Sequence, residues 1–160
     1  MPALAIGAST VLAALLAAAC ATDLRERLIP DKIVAALAGV WVLWKAACAL
    51  LFGTTEGITP GLMAALLYGG GLLTFTLVFE APGKRAGMGG GDIKLMAACA
   101  LYLGPERSAL CLLIACTMSV PLALIVPRTR FACEGERAGT VPFAPAIATG
   151  TLLALLLPAA

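Results

Sequence analysis

Six stretches of apolar residues, separated by short polar connectors, account for most of the chain: Leu4 to Thr22, Ile33 to Phe52, Gly61 to Phe79, Ile93 to Leu103, Ala109 to Val126 and Val141 to Leu157. A hydrocarbon core of about 30 Å needs roughly 20 apolar residues in helical form. Five of the runs approach that length. The fourth reaches it only if helix begins near Asp92 and continues towards Pro105, or if the segment is tilted or recessed. Pro121 lies inside the fifth run, where its missing N–H frees a backbone carbonyl and predicts a kink. The pattern therefore predicts an all-α, polytopic membrane protein of about six transmembrane helices, folded as one domain over residues 1–160. A cleaved signal peptide is the rival reading of the first run, because "LAAAC" resembles a lipoprotein cleavage site. No basic residue precedes Asp23, and the run is longer than the hydrophobic region of a signal peptide. It is read as a span.

Composition supports a bilayer as the solvent. Of the 160 residues, 61% are hydrophobic and 12% charged, against about 25% charged in soluble domains. That leaves too little polar surface to cover the molecule in water. Net charge is only +2, and no basic run is interleaved with aromatics, so nucleic acid is not an expected partner. The chain has no histidine, which removes histidine metal sites and any Ser-His or Cys-His catalytic pair. Its six cysteines, Cys20, Cys48, Cys99, Cys111, Cys116 and Cys133, form no C-x-x-C pair. They read as small side chains buried in the membrane. Neither metal nor cofactor is expected.

Basic residues set the orientation. Arg25, Arg27 and Lys32 flank the first connector; Lys84, Arg85 and Lys94 the third; Arg128, Arg130 and Arg137 the fifth. The second connector, "GTTEGITP", has none, and the fourth has Arg107. Lys45 falls within the second run, where it snorkels or faces a polar interior. Cytoplasmic connectors are enriched in Lys and Arg. With six spans, the odd connectors are then cytoplasmic and both termini lie on the other side. This is the pattern of a multi-pass protein of the inner membrane.

Most acids belong to these connectors and read as solvated charges. Asp23 and Asp92 differ, because each abuts an apolar run, and an ionisable group at that depth is a functional candidate. Asp92 follows a bare stretch of backbone in "GMGGGDIKL", residues 87–95. Gly89, Gly90 and Gly91 would let another backbone, such as an extended peptide, approach closely. The plainer reading is that Asp92 caps the fourth helix, and the two roles are compatible. Two aspartates on one membrane face can share a proton and activate water between them. Ser9, Ser108 and Ser119 have no nearby base, so a hydrolase would have to work through the aspartates. Asp23 is expected at the negative end of the first helix and Asp92 at the positive end of the fourth. The shared proton is accordingly expected mainly on Asp23.

These motifs resemble the type IV prepilin peptidases, membrane aspartyl proteases with a G-x-G-D signature. Here that signature is Gly89-Gly90-Gly91-Asp92, followed by Ile93-Lys94 as is usual there. Asp23-Leu24-Arg25-Glu26-Arg27-Leu28-Ile29-Pro30-Asp31 is similar to the family's D-x-R-x-x-x-I-P-N, and "VPFAPAIATG", residues 141–150, to its I-P-F-G-P segment. Asp31 stands where many relatives carry Asn, and Ala144 where they carry Gly. The resemblance implies catalytic Asp23 and Asp92, with Gly89, Gly91 and Lys94 in the loop that substrate backbone approaches. It also implies cleavage of the leader of pilin precursors after a glycine, at the cytoplasmic face. Short members serve tight-adherence (Flp) pili. Longer ones also methylate the new amino terminus, using a domain and cysteine tetrad with no counterpart here, so methyl transfer is not expected. The alternative from the residues alone is a small transporter or channel that uses intramembrane acids.

Overall fold

The computed structural model describes residues 2–79, 89–125 and 142–157, and these are almost entirely helical. Among the described residues, four helices are long and apolar enough to cross a membrane: α1 (Pro2–Glu26), α2 (Asp31–Phe52), α3 (Ile58–Phe79) and α4 (Gly90–Ile125). The fifth, α5 (Ala144–Leu156), is apolar but has 13 residues.

Each boundary has a local cause. α1 continues past the end of its apolar run and takes in Asp23, Arg25 and Glu26. It stops at Arg27, which adopts a left-handed φ of 52° and sends its N–H to the Asp23 carbonyl at 3.0 Å. A helix-ending position of this kind usually falls to glycine. Pro30 then holds an extended conformation and passes its carbonyl to the Ile33 N–H, which starts α2. Gly53, with φ 65°, closes α2. α3 carries a π-turn at Leu66–Gly70.

α4 joins the fourth and fifth apolar runs. Gly104 alone within it is non-helical, with φ 74° and ψ 178°. Pro105 disfavours helix at the residue before it, and glycine takes the positive φ without cost. The Tyr68 hydroxyl donates to the Pro105 carbonyl at 2.9 Å, and Ser108 Oγ to the Gly104 carbonyl at 2.6 Å. The break falls there and not at Pro121, whose backbone stays helical. The φ that proline fixes is itself helical, so Pro121 costs the preceding turn a hydrogen bond without taking the backbone out of the helix.

α4 is the centre of the bundle, with α3 on one side and α5 on the other. Small residues allow the close fit. A methyl group at Gly61 would stand 2.5 Å from the Leu101 carbonyl oxygen, and one at Gly150 would stand 2.6 Å from that of Cys111. Leu12, Leu16, Leu37, Leu95, Met96 and Ile147 fill the interior. Leu43, Leu50, Leu66, Leu77, Val78 and Leu156 face outward, as lipid contact requires. α1 packs on α2 and α5 and has at most marginal contact with α4.

Candidate active site

Asp23 lies in the last turn of α1 and is only 6% exposed. A carboxylate so buried needs compensation. It comes from a segment 121 residues away: Asp23 Oδ2 accepts the backbone N–H of Ala144 at 2.9 Å. Ala144 opens α5, after buried Pro142 and half-buried Phe143. Its N–H is one of those a helix start leaves without an intrahelical partner. Asp23 therefore caps the positive end of a helix other than its own.

Asp92 stands at the start of α4. Its own N–H and that of Ile93 both donate to the Gly89 carbonyl, at 2.9 and 3.2 Å. Gly89 thus occupies the capping position, and Asp92 is in the first helical turn. The plainer reading of Asp92 as the helix cap is not what is observed. Its side chain is partly buried, and its carboxylate accepts no hydrogen bond among the described residues.

Both carboxylates line one cavity of about 390 Å³. Gly89, Gly90 and Gly91 form one wall; the connector Arg27 to Ile29 and then Asp31 form another. The outer two glycines are constrained and the middle one is not. A methyl group at Gly89 would press on Asp92 Oδ2 at 3.0 Å, and one at Gly91 on Ile29 Cβ at 3.2 Å. At Gly90 it would meet nothing within 4 Å.

The remaining first-connector acid, Asp31, is at the rim. It pairs with Lys94 at 2.7 Å, with side chains 75% and 56% exposed respectively. An exposed pair contributes no more than about 1 kcal/mol, but it ties the N-terminal ends of α2 and α4 together beside the cavity. Asp31 is thereby set apart from buried Asp23. Glu80, Glu134 and Glu136 lie outside the described residues, as do Lys84, Arg85, Arg128, Arg130 and Arg137.

Two participants were not singled out from the sequence. Arg27 turns its left-handed backbone into the cavity wall, and its charge acts on Asp23. The Ala144 N–H is a backbone donor, so no side chain could announce it. No cluster of metal-ligating side chains occurs among the described residues. Two acids on one small, glycine-walled cavity can hold a water between them and accept its proton.

The sequence model of the type IV leader peptidase family matches residues 10–124, a stretch that contains Asp23, Gly89–Gly91 and Asp92. The chain is also 29% identical over 138 residues to a prepilin leader peptidase/N-methyltransferase of Xanthomonas campestris pv. campestris. That similarity covers 86% of this chain and 45% of the relative, so the chain spans less than half of the relative's length. No solved structure matches.

Proposed function

The chain belongs to the type IV leader peptidase family, and from that premise we propose that it is an aspartic endopeptidase removing the leader of pilin precursors. The observation that carries the proposal is the meeting of Asp23 and Asp92 on one cavity, although their helices scarcely touch. The proposed mechanism is water activation by the pair, which shares one proton because two adjacent carboxylates resist ionising together. The glycine wall gives an extended substrate room to lie beside the dyad, with the cut after a glycine. Tight-adherence pilins are the proposed substrates.

The proposed topology has six passes. The break at Gly104 divides α4 into arms of roughly 20 and 30 Å, and the other four helices supply one pass each. The basic connectors then face the cytoplasm, with the dyad. Hydrolysis alone is proposed.

The test uses detergent-purified protein and a pilin precursor carrying its leader. Wild type should shorten the precursor. Asp23→Asn and Asp92→Asn should each lower the rate by at least about a thousandfold, and the double variant should be no worse, as for residues that act as a unit. Near-normal turnover by either single variant, at equal amounts of membrane-inserted protein, would refute the dyad.

A further inference from the structure

Lys45 is the charged residue in the middle of the α2 run, and peptidase chemistry gives it no task. Roughly 20 Å of helix separates it from Asp31, which places it towards the end of the bundle opposite the dyad. Its ammonium donates to the Glu56 carbonyl at 2.9 Å and lies 4.5 Å from the centre of the Trp44 ring. Snorkelling alone would account for that much.

The surroundings go further. Lys45 lines a second cavity, of about 330 Å³, enclosed by Gly57, the start of α3 and the break in α4. Arg107 lines the same cavity, is half-buried, and has no hydrogen-bond or ion-pair partner among the described residues. Exposed Glu106 is the acid on this cavity. The second arm of α4 starts here, at Pro105, and turns its positive end towards the space. The cavity thus holds more positive than negative charge, and most of the N–H donors of Lys45 and Arg107 have no partner among the described residues.

Beside it runs an apolar groove of about 300 Å³ between α1 and α2, walled by Leu4, Ala8, Val11, Val40, Leu43 and Trp44. Trp44 joins the two sites. It walls the groove, carries the Lys45 ammonium over its ring, and stacks on Tyr102 of the charged cavity at 6.2 Å between ring centres. A cationic cavity next to an apolar slot at the same depth fits an amphiphile with an anionic head. We propose that Lys45 and Arg107 bind the phosphate of an anionic phospholipid, with one acyl chain in the groove between α1 and α2. A zwitterionic headgroup would bring its own cation to two that are already there. Such a lipid would brace the far end of the arm that carries Asp92.

Trp44 is a built-in reporter. The full chain is reconstituted in phosphatidylcholine vesicles containing a minor fraction of either phosphatidylglycerol or phosphatidylcholine brominated on its acyl chains, and tryptophan fluorescence is read. Trp41 is buried and contributes alike with both lipids. Brominated phosphatidylglycerol should quench at least about threefold more than brominated phosphatidylcholine at equal fraction. The excess should disappear in Trp44→Phe and in Lys45→Gln/Arg107→Gln, and persist in Lys45→Arg. Equal quenching by the two lipids in wild type would overturn the proposal, and this comparison needs no variant. So would an excess that survives Lys45→Gln/Arg107→Gln. Abolition of the excess by millimolar inorganic phosphate would assign the cavity to a free anion and overturn the lipid.

Discussion

Asp23 Oδ2 and the Ala144 N–H, 2.9 Å apart, bear on where the dyad keeps its proton. Counting only the helix each acid belongs to leaves Asp23 at the negative end of α1, which points to Asp23 as the protonated member. The fold adds the positive end of α5, whose free N–H is directed at Asp23, while Asp92 has no such donor among the described residues. The proton is therefore proposed to rest mainly on Asp92, with Asp23 as the charged member. The pair titrates jointly, so this is a statement about populations. Infrared spectra of the resting enzyme, with isotope-labelled Asp to identify the protonated carboxyl band, check it. The band should be lost in Asp92→Asn and shifted in Asp23→Asn; the reverse would return the proton to Asp23. Both acids were legible in the sequence because charge is rare and costly at the edge of apolar runs. The Ala144 donor was not, because every residue has an N–H and only tertiary structure selects one.

At the scale of the elements, glycines do two kinds of work, and substitution separates them. Gly89 and Gly91 shape the cavity, through Asp92 Oδ2 and Ile29. Gly89→Val and Gly91→Val should each cut cleavage by more than about tenfold, because small misplacements at a reacting centre are costly. Gly90→Ala, with open space around it, should stay within about twofold of wild type. Equal, near-normal rates in all three would reduce the stretch to a linker. Gly61 and Gly150 instead set helix spacing against the Leu101 and Cys111 carbonyls. Gly61→Val or Gly150→Val should destabilise the fold by about 1–3 kcal/mol, seen as a lowered Tm in detergent. The helices themselves were largely legible, since a bilayer demands long apolar runs. Hydropathy did not reveal that α1 carries helix past Thr22 to Glu26, because its last turn is charged. It was equally silent on the π-turn at Leu66–Gly70, which leaves the apolar pattern unchanged.

At the scale of the whole molecule, the proposed dyad is assembled indirectly. α1 brings Asp23 against α2 and α5, and α5 in turn packs along α4, which carries Asp92. The Asp31–Lys94 pair closes the same circuit at the rim. The dyad and the Lys45 cavity mark the two ends of the bundle, so fixing the side of either fixes both. Nine of the eleven basic residues fall at the dyad end of the proposed topology, and because cytoplasmic connectors retain positive charge, that end is the one proposed to face the cytoplasm. Thr55 lies in the exposed turn between α2 and α3, at the opposite end. Cys133 lies outside the described residues, in the connector with Arg128, Arg130 and Arg137. In intact cells, a membrane-impermeant thiol reagent should modify Thr55→Cys and spare Cys133, which should react only once the membrane is opened. Modification of Cys133 in intact cells, with Thr55→Cys protected, would invert the protein and put the dyad on the wrong side for the cytoplasmic cleavage proposed.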